Sequence, residues 1–250
     1  MGTYFTQGLL LKHQDYREVD RMIMAYTKEY GKLFFVAKGS RKITSKLGGS
    51  LEPFCIANLS IIRGRTFNTV TAVEVIHNFN KLKKSVSNVY IASKLAEVID
   101  ATTKEYQRDA RIYTLLEQVS MLFDTGIMEK KKRNMLVWYF VLRLVSYLGY
   151  QPELYTCLLS GKQIANKDNF FSYQRGGLIA LNARPHKEAG SVVTPNTVKM
   201  LRLIIKKKPE SLFDIRVDDQ TEQALNTLIS EYLQYTQESD IRLERVLTTA

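Results

Sequence analysis

Cysteine is nearly absent from this 250-residue chain: Cys55 and Cys157 are the only two, and they lie far apart. Two such residues cannot build a disulfide scaffold, so a reducing compartment is expected. Histidine is almost as scarce, with His13, His77 and His186 scattered singly. The glycines from Gly39 onward are not followed by the Gly-Lys-Ser/Thr ending of a phosphate loop, and neither His-Glu-x-x-His nor Gly-x-Ser-x-Gly occurs. With no acid, base and nucleophile to nominate, the chain is expected to be non-enzymatic and to need no cofactor. Long apolar runs are missing too. The most apolar stretch, Met135 to Leu142, is too short to span a bilayer and runs straight into Arg143. Residues 1–14 have neither a basic opening nor a long apolar core, so they do not read as a secretory signal. A soluble, cytoplasmic protein without a membrane partner is the expectation.

Acidic residues are in deficit, and this is the informative imbalance. The chain holds 36 Lys and Arg against 25 Asp and Glu, a net charge of +11 and a pI near 9.5. Such an excess favours a polyanionic partner, either nucleic acid or an acidic lipid surface. Residues 1–80 carry 11 bases and 6 acids, and the remaining 170 carry 25 and 19. Net positive charge per residue, +5 over 80 against +6 over 170, is therefore nearly twice as high in the front part.

The hydrophobic pattern divides the chain at the same place. Up to Val75, short alternating or apolar runs separated by turn residues predict five strands. They fall at about Tyr4 to Lys12, Asp20 to Thr27, Leu33 to Lys38, Leu51 to Ile62 and Thr66 to Val75. Arg63-Gly64 reads as a tight reversal. Five short strands suggest a closed barrel of the OB type. After Lys81 the period becomes helical, with Val89, Ala92, Leu95, Ala96 and Ile99 on one stripe and Ile112, Leu115, Leu116, Val119 and Leu122 on the next. Lys132 to Tyr147 is apolar nearly all round, as a buried central helix would be. Further helices are predicted from Pro195 through Ile205 and from Asp219 to about Tyr235. Residues 153–190 lack helical period and are rich in turn residues. The fold class is thus α+β: a barrel domain over residues 1–80, then a mainly helical domain over residues 81–250 with an insertion at about 153–190.

The stretch from Lys38 to Gly49 carries four cations and no acid among glycines and hydroxyls. Such a loop lets backbone N–H groups and cationic side chains approach phosphates. Beside aromatic rings it makes an electrostatic track with stacking surfaces. Tyr26, Tyr30, Phe34, Phe35 and Phe67 are candidate rings; adjacent Phe34 and Phe35 must point to opposite faces of their strand, so only one belongs to the core. The nominated nucleic-acid contacts are Lys38, Arg41, Lys42 and Lys46, then Arg63 and Arg65. Lys81, Lys83 and Lys84 are placed to continue that face. Lys130 to Arg133 reads as a solvated connection before the central helix, and Lys206 to Lys208 as cations at a helix C-terminus. Stacking and phosphate contacts do not choose the sugar, so an RNA-binding module stands as the alternative.

The same segment carries a resemblance. Tyr26-Thr-Lys-Glu-Tyr-Gly-Lys-Leu33, then Val36-Ala-Lys-Gly-Ser-Arg-Lys42, then Leu51-Glu-Pro-Phe54 are similar in order and spacing to the N-terminal domain of the RecO family of bacterial DNA repair proteins. Leu148-Gly-Tyr-Gln-Pro-Glu-Leu154 resembles the signature after that family's central helix. The resemblance covers most of residues 3–235. It implies a recombination mediator that binds single-stranded and duplex DNA and anneals complementary strands. With RecR, such a mediator helps RecA replace single-strand-binding protein, whose acidic C-terminal tail would dock on the helical domain; a nucleoid-associated location follows. Many members place two Cys-x-x-Cys pairs in the insertion, a set suited to Zn²⁺. Here the positions read Cys157 and Ser160, then Ala180 and Ala183. A degenerate, zinc-free ribbon is therefore expected, held by packing of Leu158, Ile164, Phe170 and Leu178, with no metal. The run from Asp240 to Arg245 does not match the family's basic ending.

Overall fold

The computed structural model describes residues 2–45, 47–126 and 128–237. Lys46 and the run from Asp240 to Arg245 lie outside the described residues. The chain divides into two compact units, Met1–Ile127 and Met128–Ala250.

In the first unit five strands close a barrel: β1 (Thr3–Tyr16), β2 (Asp20–Thr27), β3 (Gly31–Ala37), β4 (Cys55–Ile62) and β5 (Asn68–Asn78). Their order around the barrel is β1-β2-β3-β5-β4, with β3 and β5 parallel and every other pair antiparallel. This is the OB arrangement. Closure depends on the length of β1, whose first half pairs with β4 and second half with β2, and whose register shifts between Leu10 and Lys12. Such a bulge bends a strand enough to serve two neighbours. It also explains why β1 runs to Tyr16 rather than ending at Lys12. Strand β4 starts at Cys55, later than its hydrophobic run suggests, because Gly48–Leu51 forms a 3-10 turn and Phe54 has a left-handed backbone (φ 59°).

Alternation places Leu10, Ile23, Ala25, Leu33, Phe35, Ala57, Leu59 and Ile61 inside the barrel. Burying a side chain such as Phe35 contributes about 1.5–3 kcal/mol. Three helices follow: α1 (Asn80–Lys84), α2 (Val86–Thr102) and α3 (Ala110–Phe123). Ser85 and Asp109 cap α2 and α3 by accepting from the amides of Asn88 and Arg111. Asp124 accepts from the amides of Lys81 (2.8 Å) and Leu82 (3.0 Å), so the end of α3 caps the start of α1.

The second unit holds α4 (Lys130–Tyr147), a sheet ordered β7-β6-β8, α5 (Pro195–Lys206) and α6 (Asp219–Gln237). Helix α4 is buried without interruption from Asn134 to Leu142, and Trp138 Nε1 donates to Asn226 Oδ1 on α6 (2.8 Å). Lys130 to Arg133 form the first turn of α4 rather than a connection before it. The unfavourable cations there are offset by Lys131 pairing with Asp219 (3.2 Å) and by Arg133 donating to Met128 O. The insertion contains β6 (Asn169–Ser172), β7 (Gly177–Ala180) and β8 (Gly190–Val193). Phe170, Ile179 and Cys157 form its core with Ile164 against them, and Leu178 is also fully buried. Leu158 does not join that core: it is exposed, because neighbouring Cys157 takes the inward position. Burial pushes the Cys157 thiol up, but hydrogen bonds from Ser160 and from the amides of Ala180, Ser160 and Leu159 outweigh it and bring it down to about 7. Among the described residues no cluster of three or more His, Cys, Asp or Glu is placed to hold a metal ion.

Candidate nucleic-acid interface

An OB barrel offers ligands the outer face of its second and third strands and the loops after its first and fourth. Here much of that face is covered by the connection between α2 and α3. Tyr106 N donates to Lys32 O (3.1 Å), Arg108 Nε to Lys28 O (3.1 Å), and Tyr26 OH to Asp109 O (3.4 Å). Lys32 is buried and its ammonium donates to the backbone carbonyl and the carboxylate of Asp100. The turn before β3 is shaped to receive this segment. Thr27 Oγ1 donates to Gly31 O and accepts from Tyr30 N, and Gly31 sits at φ 71°. A Cβ on Gly31 would stand 2.2 Å from Gln107 O.

What remains open is a groove of about 800 Å³ at one end of the face. Tyr16, Phe34, Phe67 and Tyr106 supply its rings, and Arg63 and Arg65 its cations. Tyr16 and Phe67 meet edge to face with centroids 5.8 Å apart. Arg63 and Arg65 stand on the loop between β4 and β5, reversed at Gly64, where a Cβ would lie 1.9 Å from Phe67 O. The Arg63 guanidinium also lies 5.7 Å from the Tyr4 ring. Tyr106 has a left-handed backbone (φ 59°), a strain of about 1–3 kcal/mol for a bulky residue. Its amide bond to Lys32 O and the bond from Asn68 Nδ2 to its hydroxyl (2.5 Å) hold it there.

The loop after β3 is fastened to the turn between β1 and β2. Gly39 N donates to Asp20 Oδ1 (2.7 Å) and Arg41 N to Val19 O (3.0 Å). The Arg41 guanidinium donates to Glu18 O (2.9 Å) and pairs with Asp15 (3.1 Å). An exposed pair of this kind contributes at most about 1 kcal/mol, so Arg41 ties the loop to the turn while its exposed guanidinium stays within reach of solvent. Lys38 and Lys42 are exposed, and neither makes an ion pair among the described residues. The turn that Arg41 grips carries Tyr16 and Arg17, so it links the basic loop to the aromatic groove. Arg17 lies 5.2 Å from the Tyr16 ring in a left-handed conformation (φ 55°).

Of the rings nominated from sequence, Phe34 and Phe67 line the groove. Phe35 is the inward member of its pair, and Tyr26 is fully buried because the 100–109 segment lies over it. Tyr30 packs on Tyr4. Tyr16, Arg17, Glu105 and Tyr106 were not singled out by sequence. They form two neighbouring pairs far apart along the chain, and only the pairing of β1 with β2 and the seating of the helix connection bring the pairs together.

The second unit has a groove of about 540 Å³ along α5. Lys199, Arg202 and Lys206 border it, Ile164, Val198 and Leu203 give it an apolar floor, and among the described residues no Asp or Glu lines it. Arg202 donates to Leu154 O and lies 4.7 Å from the Tyr155 ring. Asn169, buried at the edge of this groove, has an Oδ1 without a partner among the described residues.

No helix among the described residues is long and apolar enough to cross a membrane. Two family models match the chain, Recombination protein O N terminal over residues 1–79 and Recombination protein O C terminal over residues 84–243. The chain is 28% identical to the DNA repair protein RecO of Alkaliphilus metalliredigens, covering 91% of each chain. It is 24% identical to that of Desulforamulus reducens over 97% of this chain and 93% of the relative. For the Listeria innocua protein the identity is 26%, over 90% and 86%.

Proposed function

The chain belongs to the RecO family of DNA repair proteins, and from that premise we propose that it is a mediator that holds single-stranded DNA on its barrel and anneals complementary strands. The observation that carries this reading is the joining of exposed Lys38 and Lys42 to the groove of Arg63, Arg65, Tyr16 and Phe67 through the turn gripped by Arg41. Cations on the loop and rim neutralise phosphates and release counterions, which lets a second anionic strand approach. Rings in the groove stack on bases without regard to sequence. No hydrolysis is required for either step. Lys46, in the same acid-free run of sequence, is assigned the role proposed for Lys38 and Lys42.

Changing Lys38, Lys42, Arg63 and Arg65 together to Ala tests the reading by fluorescence anisotropy with a single-stranded oligomer over a range of salt. Each lost phosphate contact should reduce the slope of log affinity against log salt by about 0.7. An unchanged affinity and slope would place the strand elsewhere. A matched RNA competing as well as DNA would favour the RNA-binding alternative.

The same reading assigns partners: RecR and, through it, RecA, together with the acidic tail of single-strand-binding protein. The groove along α5 supports the last of these, since its cations and apolar floor suit carboxylates flanking an apolar side chain. A labelled tail peptide titrated into the full chain should bind weakly and in a salt-sensitive manner. Binding should weaken in the Lys199→Glu, Lys206→Glu variant; equal binding by that variant would remove the groove from the account.

A further inference from the structure

The aromatic groove holds one charge that a phosphate track does not need. Glu105, from the connection between α2 and α3, lines it together with Arg63 and Arg65. Glu105 is exposed and makes no ion pair among the described residues. A carboxylate beside the strand repels phosphate, so what enters the groove next to it must be a base edge that donates hydrogen bonds. The covered face of β2 and β3 sets the length of what can enter. Beyond Met22 and Phe34 the path is closed by the backbone seated on Lys32 and Gly31, so the groove ends as a slot rather than continuing as a track.

We infer that this slot takes one unstacked guanine base of the bound strand, an inference that rests on the single-strand reading above. Guanine presents two adjacent donors, N1–H and the exocyclic amine, which a carboxylate accepts as a pair. On its other edge it presents O6 and N7, the acceptor pair that Arg reads most often. Adenine and cytosine set an acceptor beside their amine, and thymine flanks its single N–H with two carbonyls, so each of these brings a lone pair against the Glu105 oxygens. Phe67 and Tyr16 offer the stacking surfaces, and an extruded base read by stacking and edge contacts is a known mode of recognition. The bonds from Tyr106 N to Lys32 O and from Asn68 Nδ2 to the Tyr106 hydroxyl hold Tyr106, and Glu105 before it, at this end of the groove.

The test uses the full chain and ten-residue thymidine oligomers carrying at the centre a guanine, a hypoxanthine, which lacks the exocyclic amine, or a thymine, with affinity read by anisotropy. The guanine oligomer should bind about tenfold more tightly than the thymine one, with hypoxanthine in between. Glu105→Gln should bind guanine and hypoxanthine equally and should bind the thymine oligomer more tightly than the wild type does, because the repulsion of phosphate and of thymine's carbonyls is relieved, and Phe67→Ala should weaken all three. Equal affinities for the three oligomers, or a preference that survives Glu105→Gln, overturn the slot and leave the single-strand reading standing. If no oligomer binds at all, the single-strand reading itself fails and the slot falls with it.

Discussion

Replacing Gly31 by Ala should be among the most damaging single-atom additions in the first unit, and its cost can be divided into two parts. The left-handed conformation at φ 71° costs an L residue about 1–2 kcal/mol. The new Cβ would also meet Gln107 O at 2.2 Å, with Gln107 C at 2.6 Å and Arg108 N at 3.0 Å, all backbone atoms that no rotamer change can move. Overpacking of this kind adds about 1–3 kcal/mol. Two other glycines separate these parts. Gly39 has the same backbone strain (φ 65°), but its nearest neighbour is the flexible Lys42 side chain at 3.8 Å; Gly49 has no positive φ and nothing within 4 Å. Urea unfolding followed by circular dichroism should therefore rank Gly49→Ala near wild type, Gly39→Ala about 1–2 kcal/mol below it, and Gly31→Ala about 2–5 kcal/mol below. With a mid-range slope of about 2 kcal/mol per molar urea, the last should shift the midpoint by roughly 1–2.5 M. If Gly31→Ala costs no more than Gly39→Ala, the 105–108 segment is not seated on the turn, and the closed end of the groove is lost with it.

Burial raises the hydroxyls of Tyr4, Tyr26 and Tyr232 to about 12. Because the folded values exceed the unfolded one near 10, the stability they supply is complete below about pH 10 and is lost as pH rises toward 12. Spectrophotometric titration should show this late-ionising class, and a single transition near pH 10 would contradict it. Metal analysis of the purified chain should find no stoichiometric zinc, and a chelator should leave the unfolding midpoint unchanged. One zinc per chain, removable only with loss of structure, would contradict the apolar packing of Cys157, Phe170 and Ile179.

The barrel was legible because its strands alternate and its turns carry glycine where the backbone demands it, and the shift of period is met by β5 ending at Asn78 and α1 starting at Asn80. Burial of α4 could be read from its uniform apolarity. Strand ends were less legible: the bulge after Leu10 and the 3-10 turn at Gly48 depend on how β1 must bend and how β4 is entered. The basic loop stood out as an acid-free run, yet nothing local distinguishes Arg41, clipped to Glu18 and Asp15, from exposed Lys42. The groove was the hidden part. Tyr16 and Tyr106 are 90 residues apart, and Tyr26 reads as a stacking ring until Asp109 is seen to lie over it.

On the proposed mechanism, the barrel's cations and rings let two strands meet without chemistry. Its most direct test is the rate at which the protein anneals two complementary labelled oligomers, followed by energy transfer with no nucleotide present. Wild-type protein should accelerate annealing strongly at low salt and progressively less as salt rises, and the Lys38→Ala, Lys42→Ala, Arg63→Ala, Arg65→Ala variant should fall close to the uncatalysed rate. Annealing by that variant at the wild-type rate, or a requirement for nucleotide hydrolysis, would contradict the account.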